Sequence, residues 1–119
     1  MKAAGLEMIG TIMNTEAVLI SNPNSKHQKL VNKVHKRLLG FITAKKYRMV
    51  TYNVSKDQLP LAQRITPGRK APTVNALFNE DFFAVSAMVE RSDVADIMDS
   101  LAELGATDIM VFDIENCRA

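Results

Sequence analysis

The sequence predicts an α+β domain in the order β-α-β-β-α-β, and three observations carry the prediction. From residue 46 onward, short apolar runs alternate with amphipathic stretches of helical period. Two of the runs, "PTVNALF" and "FFAVSAMVE", are separated only by Asn79-Glu80-Asp81, which is a hairpin signal. Gly105 closes the second helical stretch just before the last run. With 119 residues, 47% of them hydrophobic, the chain has the size of one ordinary domain and can bury a core without a disulfide or a metal. Cys117 is the sole cysteine, so no internal disulfide can form.

Each element has its own local signal. Residues 6–21, "LEMIGTIMNTEAVLIS", read as two brief strands around a polar break at Asn14-Thr15-Glu16, with no evident pairing partner nearby. Asn22-Pro23 is a helix start, a capping side chain followed by the residue that tolerates the first helical position. Leu30, Val31, Val34, Leu38, Phe41 and Ile42 then recur on one face, predicting a helix over about 23–43 whose apolar stripe needs a surface to cover. In "YRMVTYNV", Tyr47, Met49 and Thr51 alternate with Val50, Tyr52 and Val54, a strand at least partly buried on both faces. Ser55 and Gln58 have capping-box spacing, and Pro60 pushes the true cap a residue or two later. Leu61 and Ile65 supply the buried face of the helix that follows, and Pro67-Gly68 stops it. Ser92 caps the next helix, lined by Val94, Ile97, Met98, Leu101 and Leu104, and "TDIMVFDI" is the closing strand. This order is that of a ferredoxin-like sandwich, both helices on one side of a four-stranded antiparallel sheet.

Charge is unevenly placed. Lys26, Lys29, Lys33, Lys36, Arg37, Lys45, Lys46 and Arg48 fall between residues 22 and 48 without a single acid, so the remainder is net acidic although the whole chain is +2. That basic helix invites a test for RNA binding, which fails on the third strand: "FFAVSAMVE" has Phe82 and Phe83 but lacks the glycine and the basic start of an RNA-stacking strand. Neither a basic-then-apolar leader nor an uncharged run of membrane-spanning length is present, so no membrane partner and a cytosolic location are expected. His27 and His35 stand eight residues apart without an acid or thiol nearby, the pattern of solvated histidines and not of a metal site. Cys117 has no histidine in its local sequence and reads as a small tail residue. Asp93, Asp96, Asp99 and Glu103 recur around the outer face of their helix, as a solvated surface does. The five glycines stand singly, so no phosphate-cradling loop exists. Arg69-Lys70, in "ITPGRKAPTV", would suit an anion, although a turn with two exposed cations is commonplace.

Three stretches together carry a resemblance. "LISNPNSKHQKLVNKVHKRLLGFITAKKYRMVTYNV", "ITPGRKAPTV" and "LGATDIMVFDIENCR" resemble, in order and spacing, the C-terminal part of the long-form ATP phosphoribosyltransferases, the first enzymes of histidine biosynthesis. The resemblance implies that residues 45–119 are a ferredoxin-like regulatory domain of the ACT/PII-like kind that binds L-histidine, the end product and feedback inhibitor. Residues 1–44 would be the last strands and the long basic helix of the catalytic part, with Met1 opening a truncated chain. The intact family enzyme joins ATP and phosphoribosyl diphosphate with Mg; its Thr/Ser-Gly-x-Thr phosphate loop has no match here, so this chain is expected to be inactive alone and to hold no cofactor. The positions that match the family's effector contacts are Asn53, Arg69, Thr73, Met88 and Asp108, in a pocket between regulatory domains of neighbouring subunits of a trimer or hexamer. Thr73 sits in the clearest motif. Asn53 departs from members that carry an acid there, which leaves its position without a net charge. Two readings compete with a histidine sensor: a ferredoxin-like oligomerisation module without a ligand, and a small acyl-phosphate hydrolase using Arg69 and Asn53.

Overall fold

Tyr47–Ser55 (β1) is the strand on which the domain is assembled, and in the computed structural model it pairs on both edges. The structure describes residues 4–79 and 81–119; Met1, expected to open a truncated chain, and Glu80, at the centre of the expected hairpin turn, lie outside the described residues. Gln28–Lys46 (α1) runs directly into β1. Leu59–Ile65 (α2), Thr73–Ala76 (β2), Phe82–Glu90 (β3), Val94–Leu104 (α3) and Thr107–Asp113 (β4) follow. The sheet order is β2-β3-β1-β4, every pair antiparallel, which is the expected ferredoxin-like arrangement.

Alternation along β1 fixes the core. Val50, Tyr52 and Val54 are buried on one face, and their β3 partners Ala87, Val85 and Phe83 share that face because directly opposed residues in an antiparallel pair point the same way. Helices α2 and α3 cover it with Ala62 and Leu101, both fully buried, and with Leu59, Ile65, Val94, Ile97 and Leu104 around them. Gly105 adopts the left-handed conformation (φ 95°) and terminates α3, its N–H and that of Ala106 donating to Ala102 O and Leu101 O. The other face of the sheet carries Met49, Thr51 and Asn53 and meets neither α2 nor α3.

Several local expectations give way to tertiary context. Residues 6–21 form no strand and lie exposed, Ile9 and Ile12 completely so: a strand is held by pairing, and among the described residues these pair neither with one another nor with the outer strands β2 and β4. Asn22 caps a turn and not a helix, its Oδ1 accepting from Asn24 N at 2.9 Å. Ser25 Oγ likewise accepts from His27 N at 3.1 Å, so α1 starts only at Gln28, and it continues to Lys46, past the expected end at 43. Ser55 belongs to β1 and its hydroxyl donates to Gln58 Oε1 at 3.2 Å, so α2 starts at Leu59 with Pro60 in the first turn, where no N–H is needed. Leu61, expected in the core, is half exposed; Ala62, one residue on, faces inward instead. Ser92 caps nothing: its hydroxyl donates to Asp93 Oδ1 at 2.7 Å within a short 3₁₀ turn that leads into α3. The stripe Leu30, Val34, Leu38, Phe41 and Ile42 on α1 is present and exposed.

Thr66, a polar residue fully buried in the core, is satisfied twice. Thr66, at the C-terminus of α2, donates to Ala62 O (3.2 Å) and shares a 2.7 Å hydrogen bond with Tyr52 Oη across the helix–sheet interface. Burial pushes the Tyr52 hydroxyl above its ordinary pKa of 10.0, an effect the Thr66 bond partly offsets. Removing one partner is not symmetric with removing the other. Thr66→Val leaves Tyr52 Oη buried without a partner and is expected to cost about 1–3 kcal/mol, whereas Tyr52→Phe leaves Thr66 its bond to Ala62 and is expected to cost about 1 kcal/mol or less. Urea unfolding of the two variants checks the order. Above pH 10 the unfolded tyrosine loses its proton while the folded one keeps it, so this group's contribution is intact below pH 10 and is lost as pH rises through the folded pKa. Tyr52→Phe should accordingly flatten the alkaline limb of the stability–pH curve.

Candidate functional site

The loop between α2 and β2 builds one side of the site. Thr66 is fixed in the core, Pro67 follows, and Gly68 turns the chain with φ 66°; a Cβ at Gly68 would sit 3.1 Å from Ala71 O, so the turn admits only glycine without strain. Folded back in this way, the loop sets the Arg69 guanidinium 5.4 Å from the centre of the Tyr47 ring, a cation–π distance. The loop ends at Thr73, the first residue of β2, paired with Ser86 of β3.

Register across the sheet decides what Thr73 meets. On the face away from α2 and α3, Met49 of β1 opposes Met88 of β3 and Phe112 of β4, and Thr51 opposes Ser86 and Met110. Thr73, Ser86 and Thr51 therefore form a row of hydroxyls across three adjacent strands, and Thr51 Oγ1 is buried without a hydrogen-bond partner. Thr73, Ser86 and Arg69 edge a cleft of about 510 Å³ that also takes in Met49, Met88 and the chain segment at Cys117–Ala119. That volume suits a small ligand. Its lining side chains include the cations Arg69, Lys70 and Arg118 and no acid, so the side-chain charge of the cleft is positive.

Three of the residues expected from the sequence, Arg69, Thr73 and Met88, are brought together by this cleft, and two are not. Asn53 and Asp108 lie further along the sheet, bonded to each other: Asn53 Nδ2 donates to Asp108 Oδ2 at 3.0 Å. The β1–β4 register shifts between Thr51 and Asn53, and there Asp108 takes up a positive φ of 51°, a conformation that aspartate tolerates better than most residues. The pair joins an amide to a carboxylate, so the negative charge missing at Asn53 is present one hydrogen bond away. Sequence reasoning missed Ser86; the alternation of β3 placed it on a face, but only the β2–β3 register sets it opposite Thr73. Among the described residues, no three His, Cys, Asp or Glu side chains converge on a metal-sized site, and no helix is long and apolar enough to cross a membrane.

Comparison with known proteins falls on the same segment of chain. The family described as HisG, C-terminal domain, matches residues 44–116. ATP phosphoribosyltransferases of Debaryomyces hansenii, Yarrowia lipolytica and Saccharomyces cerevisiae are 47%, 46% and 44% identical to it, each over 99% of this chain. The chain spans about 40% of the length of each of these relatives. Since the family match takes in β1 to β4 together with α2 and α3, the whole of the sheet and both covering helices, the chain belongs to the HisG C-terminal domain family.

Proposed function

We propose that this chain is the histidine-sensing regulatory portion of an ATP phosphoribosyltransferase, with residues 45–119 as the effector-binding domain and residues 1–44 as the end of the catalytic part. The observation that carries the reading is the division of the effector-matching residues into two clusters of opposite character on one open sheet face. Arg69, Thr73 and Met88 line a cationic cleft with an apolar flank, and Asn53 and Asp108 form an anionic pair outside it. A free amino acid has both signs. Its carboxylate suits Arg69 with the hydroxyls of Thr73 and Ser86, its ammonium suits the Asp108 carboxylate, and an imidazole fits against the Met49 and Met88 side chains. Two separated half-sites are what a pocket shared between subunits requires: the cleft of one subunit faces the Asn53–Asp108 pair of the next in a trimer or hexamer.

On this reading the joining of ATP to phosphoribosyl diphosphate, with Mg, belongs to the longer enzyme, and these residues transmit feedback inhibition to it in the cytosol. The second reading, an oligomerisation module that holds no ligand, is favoured by Met110 and Phe112, each half exposed on the open face and suited to contact between copies.

Calorimetry with L-histidine separates the two readings. The parent chain is expected to bind. Thr73→Val keeps the β-branched shape and removes the hydroxyl, and should weaken binding about five- to hundredfold with no change in Tm. Asp108→Asn should weaken binding by a similar factor. Unchanged affinity in both variants contradicts the site, and absence of binding to the parent at any concentration favours the ligand-free module.

Mixing the two variants tests the shared pocket. In oligomers re-formed from equal amounts of Thr73→Val and Asp108→Asn chains, about a quarter of the sites pair two unaltered halves and should bind with parental affinity. Recovery of none would place both clusters within one subunit.

A further inference from the structure

Residues 114–119 have no regular secondary structure, yet they touch two regions that are otherwise barely joined. Cys117 N–H donates to Gly40 O at 2.9 Å, crossing α1 at a buried glycine. A Cβ at Gly40 would come within 2.5 Å of Asn116 Oδ1 and 2.9 Å of Arg118 Cδ. Glycine inside a helix costs about 1 kcal/mol relative to alanine. Here it supplies the gap through which the tail passes. Arg118 Nε donates back to Asn116 Oδ1 at 2.8 Å, closing the segment over the helix. Ala44, one turn beyond Gly40, is fully buried as well, so this is the covered side of α1, while the Leu30–Ile42 stripe is open.

The same segment is a wall of the candidate effector cleft. Cys117, Arg118 and Ala119 line it on one side, opposite Arg69, Thr73 and Met88, and with Lys36, Leu39 and Thr43 of α1 they bound a second cleft on the other. Besides the covalent step from Lys46 to Tyr47, a second polar tie between α1 and the domain is Arg91, whose Nε donates to Lys45 O at 3.1 Å while its Nη2 meets Asp113 Oδ1 at 2.9 Å.

We infer that residues 114–119 are a strap, seated by Gly40, that couples occupancy of the Arg69–Thr73–Met88 cleft to the position of α1. A ligand entering the cleft presses on a wall that is itself anchored to the helix, and Arg118 brings a cation to the ligand from that wall. The nature of the ligand rests on the histidine reading above; the strap and its seat rest on geometry alone. Gly40 is in this sense a positioning residue, acting on the cleft through the tail.

Cys117 is the only thiol in the chain, so its labelling rate by a thiol reagent reports on the strap in the intact folded protein. Gly40→Ala raises helix propensity, so circular dichroism should keep α1, but it removes the seat. Cys117 should then label about fivefold faster or more, the factor set by one lost hydrogen bond, and L-histidine should bind more weakly by a similar factor. In the parent, saturating histidine should slow the labelling. A second variant ending at Glu115 removes the strap and should show the same weakened binding. Equal labelling rates in Gly40→Ala and the parent overturn the seat. Faster labelling with unchanged histidine affinity overturns the coupling. If the parent gives no heat with histidine, the histidine reading fails, and the labelling comparison still decides whether Gly40 seats the tail.

Discussion

Period-two alternation along β1 is the constraint on which both the buried core and the pairing of the open face depend. One set of its side chains, Val50, Tyr52 and Val54, is buried under α2 and α3; the interleaved set, Met49, Thr51 and Asn53, faces the open side. A shift of β1 by one residue would exchange these sets, placing Thr51 and Asn53 in an apolar core and three large apolar groups on the surface. The cost of that exchange fixes the register, and the register then sets every partner on the open face. Met49 opposes Met88 and Thr51 opposes Ser86 in the register that buries Tyr52 on the other face, and the β2–β3 register adds Thr73 opposite Ser86. The side-chain order along β1 on one face is thus a consequence of hydrophobic burial on the other.

The loop after α2 extends the same logic. Thr66 is held by Tyr52 from the strand and by Ala62 from the helix, so the start of the loop is tied to the core while its middle turns on Gly68 and reaches the solvent face with Arg69. Recognition groups on a short, anchored loop lose little entropy when a ligand binds. At the far end of the face, by contrast, Asp108 owes its position to a register shift in the β1–β4 ladder and to its own positive φ.

The features legible in the sequence are those written in local periodicity and turn chemistry. Alternation gave β1 and β3, spacing gave the buried Leu101 face of α3, and Gly105 marked its end. Features decided by neighbours were not legible. The apolar run at 6–21 has strand composition but pairs with no strand among the described residues; Asn22 and Ser25 satisfy local turns and so delay α1; Leu61 is half exposed and Ala62 buried in an α2 that starts with Pro60 in its first turn. For the site, Thr73 stood in a recognisable motif, whereas the Asn53–Asp108 bond spans more than fifty residues and arises from an irregular ladder. Ser86, and the passage of residues 116–118 over Gly40, depend on pairings that no local pattern encodes.

The apolar stripe of α1 and the open sheet face both carry exposed apolar side chains, the surface character of an interaction site. Residues 114–119 touch both the helix that carries the stripe and the cleft on the open face. The central claim is that histidine is held between the cationic cleft of one subunit and the Asn53–Asp108 pair of another. A crystal structure of the chain grown with L-histidine tests it most directly. The account predicts ligand density with its carboxylate at Arg69 and Thr73 of one copy and its ammonium at Asp108 of a neighbouring copy; histidine bound away from the open sheet face, or held within a single copy, would contradict it.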